Sequence, residues 1–471
     1  MPKRKIVLLN PPGRRLYLRD YFCSKVSQAD YINHPIDFLY LSGLLKDVGE
    51  VSLLDAIVQR LDARTCLDRV ERLDPDVVVG LIGSVSYSED VPFYRSLSQR
   101  VGARLVLIGD ILIDHREERL AELPFVSAFL HDFSSDDLRI YLEGAPDGRR
   151  PNNMTVRERG GISAFPIERP KGEEFSLPVP QHRLFLGHPY RYPFVRHRRF
   201  ATVMTEFGCP YSCNFCIMST LGWKIRPVSN VLEELDSLAR LRVREIFFLD
   251  QTFGIGRERA QQLLSEMQRV GYGFGWLCFS RPDVVSDRLL LQMKAAGCHT
   301  VILGVESANQ RILRAARKDY TREAIQEGFQ LCARHGIRTV ATVIIGLPEE
   351  TEESFQETLA LLRRLGPDFV SFNVAVPRMG TPLRQRALSL GLIESDFEIM
   401  DQSGHPVAMQ TLTLSRARVA AMKQRALGEF YFNLGYLGER ARKWGKSWNL
   451  SDLRIQLRQG VSLLRHYLSS S

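Results

Sequence analysis

Short apolar runs alternate with amphipathic stretches along most of this chain, and that alternation leaves few folds open to it. Before residue 146 the runs are Ile6–Leu9, Val51–Leu54, Val77–Ile82, Arg104–Ile108 and Val126–Leu130. Between them, apolar residues recur with a helical period around Ile36–Leu45, Ala63–Leu73, Asp90–Val101, His115–Ala121 and Ser135–Tyr141. Strands that are apolar on both sides need cover on both sides, and intervening helices supply it. The pattern therefore predicts an α/β fold over 1–145, a parallel, doubly wound (Rossmann-like) sheet. Ligands of such sheets lie beyond the carboxyl ends of the strands. Those ends carry Asn10-Pro11-Pro12-Gly13, Asp55-Ala56, Gly83-Ser84-Val85-Ser86-Tyr87 and Gly109-Asp110. All are small, polar or turn-forming, as loops around a bulky polar ligand must be.

Residues 146–200 break the pattern, being rich in Pro, Gly, Arg and His, and read as a linker. His182, His188 and His197 in it are expected as surface or packing residues. Alternation resumes with strands at Thr202–Thr205, Glu245–Leu249, Phe274–Phe279, Thr300–Leu303, Thr339–Ile345 and Phe369–Phe372. Helical patterns at Val228–Leu241, Arg257–Val270, Asp287–Ala296, Thr321–His335 and Thr351–Leu365 separate them. This predicts a partial (β/α) barrel over 201–385, with its chemistry on the loops after the strands. Residues 386–471 are expected to be helical. Asn449 can cap a helix whose apolar positions run from Leu450 to Leu468, suited to packing on the barrel or to contact with a membrane surface.

At 44% hydrophobic and 25% charged residues, the composition is that of a globular protein, and no apolar run is long enough to cross a membrane. The apolar Ile6–Leu9 is too short for a secretory signal, so a cytoplasmic protein is expected. The net charge of +9 permits nucleic acid as a partner. The basic residues are scattered, however, and no RNA-binding module is recognisable, so none is expected. Eight cysteines show no disulfide spacing, but three crowd into eight residues.

Those three are Cys209, Cys213 and Cys216 in Thr-Glu-Phe-Gly-Cys-Pro-Tyr-Ser-Cys-Asn-Phe-Cys, directly after the first barrel strand. Thiolates are the soft ligands that iron–sulfur clusters and zinc prefer. A structural zinc site normally takes four ligands, and no fourth Cys or His lies nearby in sequence. Three thiolates on a cubane leave one iron open. The CxxxCxxC spacing with Phe215 before the last Cys resembles the signature of the radical S-adenosylmethionine (SAM) superfamily. That resemblance implies a 4Fe–4S cluster whose open iron is chelated by the methionine part of SAM. It also implies reductive cleavage of SAM to a 5′-deoxyadenosyl radical, and an electron donor such as flavodoxin or ferredoxin.

The strand ends agree in order with the family. Asp250 and Thr252, in Phe-Leu-Asp-Gln-Thr-Phe, stand where the resemblance places contacts to the SAM amino group. Arg281 stands where a bidentate contact to its carboxylate is made. Glu306 is placed near methionyl or ribose groups, and Ile345-Gly346-Leu347-Pro348 beside the adenine, with Glu349 replacing an expected small residue. Pro377-Arg378-Met379-Gly380-Thr381-Pro382-Leu383 resembles the family's closure of the sixth strand. Taken singly each has a plain alternative: Gly304 and Gly346 as turn residues, Arg281 in a surface ion pair, Glu306 beside a helix N-cap.

A doubly wound domain ahead of this barrel resembles the cobalamin-binding radical SAM enzymes. The resemblance implies that the loops bearing Asn10, Pro11, Pro12, Ser84, Ser86, Gly109 and Asp110 face the corrin and its tail. No Asp-x-His-x-x-Gly string is present, Asp114-His115 having the wrong spacing, so cobalt is expected to lack a histidine from that motif. No GxGxxG follows the first strand, which disfavours a dinucleotide. The other five cysteines are expected as isolated thiols, with Cys23 in an unusual loop that could reach the active site. The implied activity is methyl transfer to an unactivated carbon of a small, lipid-like molecule or natural product. Cyclisation, ring contraction or rearrangement without net methylation is the alternative, ahead of a non-catalytic scaffold or RNA modification.

Overall fold

The computed structural model describes residues 3–20, 23–27, 31–144, 147–394, 401–402, 407–433, 435–436 and 438. The tail helix expected after Asn449 lies outside them.

The first sheet contains β1 (Arg4–Asn10), β2 (Gly49–Asp55), β3 (Val77–Leu81), β4 (Arg104–Ile108), β5 (Ala128–Leu130), β6 (Met154–Glu158) and β7 (Gly161–Ala164). Their order is β2-β1-β3-β4-β5-β6-β7, and β1 to β5 run parallel. Ile6, Val7, Leu8 and Leu9 are all at most 1% exposed, as expected of a strand covered on both faces. Strand order reverses between β1 and β3, so the crevice for a ligand opens between the Asn10 and Gly83-Ser84 loops.

One boundary differs from expectation. The stretch expected to be a linker contributes β6, antiparallel to β5, and β7, antiparallel to β6, which extend the sheet. It also contributes Lys171–Glu174, which pairs with Trp223–Ile225. Edge strands are short and need apolar residues on one side only, so their Arg, Glu and Gly neighbours mask them in the sequence.

The second sheet holds β8 (Phe200–Val203), β9 (Glu245–Phe248), β10 (Gly275–Ser280), β11 (Cys298–Glu306), β12 (Arg338–Ile345) and β13 (Phe369–Val374). They are parallel and in chain order, each within two residues of its expected start. Among the described residues β8 and β13 do not pair, which makes this a partial barrel. The helix Arg416–Tyr431, capped by Ser415, packs against β12 and β13.

Polar contacts within an apolar seam join the two halves. Every residue of the helix Ile36–Leu44 is buried, because it lies between the first sheet and the barrel. The Tyr40 hydroxyl accepts the Met204 N–H at 2.6 Å. It also faces the buried pair of Arg226 Nη1 and Glu234 Oε2, 2.6 Å apart. His182 Nε2 lies 2.9 Å from the other Glu234 oxygen. Lys224 reaches Asp132 of the first domain at 2.8 Å. Among the described residues no helix is long and apolar enough to cross a membrane.

Candidate active site

The cysteine loop is closed by its own hairpin. Glu206–Gly208 pairs antiparallel with Trp223–Ile225, and the Cys209 N–H donates to the Gly222 carbonyl at 3.0 Å. Gly208 sits at φ +79°, and a Cβ there would lie 1.9 Å from that same carbonyl oxygen, so no other residue fits. The Ser219 hydroxyl donates to the carbonyls of Cys216 (2.7 Å) and Cys213 (3.1 Å). Asn214 fastens the middle of the loop by donating its side-chain amide to Ala315 O at 2.7 Å. Its carbonyl accepts from the Leu383 N–H at 2.9 Å.

All three thiols are free, with Cys213 buried and Cys209 and Cys216 half-buried. Burial raises the Cys209 thiol and, with repulsion from Cys213, pushes Cys216 to about 12. Without metal these groups stay protonated, so a cluster must displace protons to bind. Among the described residues no three His, Cys, Asp or Glu side chains gather around one point for a single ion. A cubane asks for something different: one thiolate at each of three iron corners.

Two buried cations face this loop. The Arg281 guanidinium stacks on Tyr211 at 3.6 Å and pairs with both oxygens of Asp283 at 2.9 and 2.8 Å. Its Nη1 is buried without a hydrogen-bond partner. Lys318 lies 3.2 Å from Glu306 and over the ring of Phe215 at 5.5 Å. Although burial opposes its charge, Tyr320 and Glu306 hold the ammonium above its ordinary value. Three thiolates on a 4Fe–4S core leave net negative charge, and SAM brings a carboxylate, so these cations fit both groups.

Glu306 reaches Lys318 through local strain. It ends β11 at a register shift with φ +58°, a conformation L-residues rarely adopt. A Cβ on Gly304 would lie 2.6 Å from its carboxylate, so glycine there makes room for the pair. Sequence reasoning missed Lys318. A lysine in a loop after a short helix is ordinary surface chemistry until the fold buries it.

The remaining expected SAM contacts are placed unevenly. Asp250 is 1% exposed and accepts from Thr205 N (2.6 Å), Thr205 Oγ1 (2.7 Å) and Glu206 N (3.0 Å). It fastens the entry to the cysteine loop, while its neighbour Gln251 lines the cavity beside the cysteines. Thr252 is buried. Ile345 is buried, and Ile344 and Thr342 line the cavity from β12. Gly346, at φ +90°, donates its N–H to buried Glu350, and a Cβ there would lie 2.8 Å from Val419.

That cavity, about 340 Å³, lies between the domains. Phe215 and Cys216 border it from the cysteine loop, Gln251 and Glu306 from the barrel, and Cys23, Lys25 and Tyr31 from the first domain. The expected corrin loops lie behind this first-domain segment and are tied to it. Asn10 donates to Asp55 at 3.0 Å and accepts from Arg19 at 3.0 Å. The Pro11 and Pro12 carbonyls accept from Arg19 as well. Ser86 donates to Asp90 at 2.6 Å, and Asp90 forms a fully buried pair with Arg19 at 2.6 Å. Asp110 accepts from the N–H groups of Ser24 and Ser84, each at 2.9 Å. Gly109 is packed so that a Cβ would lie 1.7 Å from Ile82 O.

Residues 205–362, which begin at the cysteine loop and end on the helix after β12, match the model of the Radical SAM superfamily. These residues form a radical SAM domain. A radical SAM domain carries a 4Fe–4S cluster and SAM. This radical SAM protein is 26% identical over 368 residues to an uncharacterised methyltransferase of Pyrococcus horikoshii, covering 76% of the chain and 79% of that protein. It is 25% identical to the anaerobic magnesium-protoporphyrin IX monomethyl ester cyclase of Rubrivivax gelatinosus, covering 73% of the chain and 64% of the cyclase. Its two-domain fold is that of the radical SAM methyltransferase TsrM from Kitasatospora setae, solved with cobalamin and a 4Fe–4S cluster. The TM-score is 0.66 at 18% identity, over 88% of this chain and 84% of that one. The cobalamin-dependent SAM radical enzyme OxsB shares the fold at a TM-score of 0.69 and 14% identity, over 98% of this chain and 72% of that one.

Proposed function

We propose that this radical SAM enzyme is a cobalamin-dependent methyltransferase acting on an unactivated carbon of a small molecule with a largely apolar body. The observation that carries the reading is the cavity bordered by the cysteine loop on one side and by the first domain on the other. An unactivated carbon offers no lone pair to a sulfonium, so it must lose a hydrogen atom before it can gain a methyl group. A 4Fe–4S cluster supplies the electron that splits SAM, and cobalamin supplies a methyl carrier able to meet a carbon radical.

The chain's own residues divide the work. Cys209, Cys213 and Cys216 hold the cluster, and Lys318 and Arg281 offset its charge, the free Nη1 of Arg281 taking the SAM carboxylate. Gln251 and Glu306 offer the polar contacts on the barrel side, while Ile345 and Gly346, held by Ala375 and Glu350, shape the turn after β12 where the adenine would lie. Asp250 and buried Thr252 set the shape of the strand end. On the first domain, the Asn33 Oδ1 is buried without a partner on the cavity wall, an acceptor suited to the amide rim of a corrin. Contacts to Asn10, Pro11, Pro12, Ser84, Ser86, Gly109 and Asp110 require the hairpin of Tyr17–Leu18 and Lys25–Val26 to lift from the strand ends, since their polar groups are taken up by Arg19, Ser24 and one another. We assign the protein to the cytoplasm, with flavodoxin or ferredoxin as donor, on the grounds that all eight cysteines are free.

The test is anaerobic reconstitution with iron, sulfide and cobalamin, then incubation with methyl-labelled SAM and small-molecule extracts. Turnover is expected to give labelled product together with S-adenosylhomocysteine and 5′-deoxyadenosine. Product without label would favour rearrangement or cyclisation, the reading that likeness to the cyclase of Rubrivivax gelatinosus supports. Failure to retain cobalamin would remove both.

A further inference from the structure

We propose that Arg378 binds an anionic group on the substrate, so that the substrate is a flat, apolar molecule bearing a carboxylate or similar anion. This rests on reading the interdomain cavity as the substrate site. Arg378 is 7% exposed and lies on that cavity. Its Nη2 donates to Gln402 at 3.2 Å, but its Nη1 has no hydrogen-bond partner. A carboxylate lies near, Asp110 Oδ2 at 3.9 Å, beyond hydrogen-bonding distance. That oxygen is already held by Ser24 N (2.9 Å) and Ser24 Oγ (2.7 Å). A buried guanidinium N–H in a residue on a cavity wall, left without a hydrogen-bond acceptor, is costly unless a ligand supplies one.

The residue is also held still. Its N–H donates to Val376 O at 2.9 Å, and its carbonyl accepts the Thr381 hydroxyl at 2.6 Å. The backbone is thus fixed and Gln402 holds Nη2, which lowers the entropy lost on binding. A second cation, Lys25, lines the cavity from the first domain and connects this charged end to an aromatic one. Its ammonium sits 5.9 Å over Tyr31, which meets Tyr192 edge-on at 5.7 Å. Tyr192 stacks on Phe247 at 4.5 Å, and Phe247 lies 5.5 Å from Phe279. One end of the cavity thus suits an anion and the other a flat apolar body, within a volume typical of small-molecule sites. A purely hydrocarbon substrate would leave Nη1 without a hydrogen-bond acceptor.

The test uses the full-length, cluster-loaded protein and a matched pair of probes, 2-naphthoate and 2-naphthamide, in equilibrium dialysis. Naphthoate is expected to bind about tenfold more tightly than the amide, the discrimination of one charge-assisted hydrogen bond. That preference should vanish in Arg378→Met and partly return in Arg378→Lys, with circular dichroism confirming that each variant folds. Equal binding of the two probes, no saturable binding of either, or a preference that survives in Arg378→Met would overturn the proposal. A parallel arm compares cobalamin with cobinamide, which lacks the phosphate. Should Arg378→Met abolish a preference for cobalamin instead, the anion is the cofactor's phosphate and the substrate assignment falls. Loss of cluster or of SAM cleavage in the unsubstituted protein would count against the enzyme reading itself, independently of Arg378.

Discussion

Glu234 is the residue whose loss should travel furthest. It accepts from Arg226 Nη1 at 2.6 Å, and its other oxygen lies 2.9 Å from His182 Nε2. Both Arg226 and Glu234 side chains are 0% exposed. Arg226 in turn donates to Met204 O at 2.7 Å, two residues before the strand that opens the cysteine loop. Glu234→Gln leaves a buried guanidinium facing a neutral amide. Removing one partner of such a pair costs about 3–5 kcal/mol, and the retained amide oxygen argues for about 3. Native-state hydrogen exchange at Met204 and Arg226 reads this locally, without assuming that two domains unfold together. About 3 kcal/mol corresponds to roughly hundredfold faster exchange. Glu234→Gln combined with Arg226→Met should be about 2 kcal/mol less damaging than the sum of the two, because the stranded charge is gone. The pH dependence has a defined sign. Burial pushes the Glu234 carboxyl up, but Arg226 and His182 more than offset it and hold it below its usual range. Its contribution is therefore present above the usual carboxylate range and is lost as pH falls through the depressed value. Exchange less than about fivefold faster in Glu234→Gln, or strict additivity in the pair, would refute this account.

Two further outcomes follow from the same geometry. Alanine at Cys209, Cys213 or Cys216 should lower bound iron and abolish SAM cleavage, whereas alanine at Cys298 or Cys332 should do neither. Iron analysis and 5′-deoxyadenosine release check this, and a full cluster in Cys213→Ala would sink it. Burial raises buried Glu350 to about 8, so its own contribution to stability is greatest below the ordinary carboxylate range and falls as pH rises toward 8. Glu350→Gln should flatten that fall in thermal melts between pH 5 and 8, and an unchanged slope would show that Glu350 is not its source.

Reading the chain without coordinates found the two parallel sheets because their strands are buried on both faces, and continuous apolar runs such as Val77–Leu81 record that directly. The cysteine triad was legible for a different reason, since its three thiols lie within eight residues of one another. Local chemistry determined these features, so one dimension sufficed. Where a contact joins residues far apart, the sequence was mute. Lys318 drew no reading and Arg378 only a place in the motif closing the sixth strand, and only the fold carries them into low-dielectric surroundings beside Glu306 and Asp110. His182 was expected to pack, and tertiary structure gave it a charged partner 52 residues away. Asp250 looked like a cofactor ligand from its place after β9, yet the return of Thr205 and Glu206 past it fills both its oxygens. The short strand β6 adds only Met154 and Val156 to the core, too brief a pattern to read from sequence, and β6 and β7 form where β5 offers an open edge. Periodicity and ligand spacing are properties of neighbouring residues, whereas burial, charge pairing and the shape of the interdomain cavity depend on which distant segments the folded chain brings together.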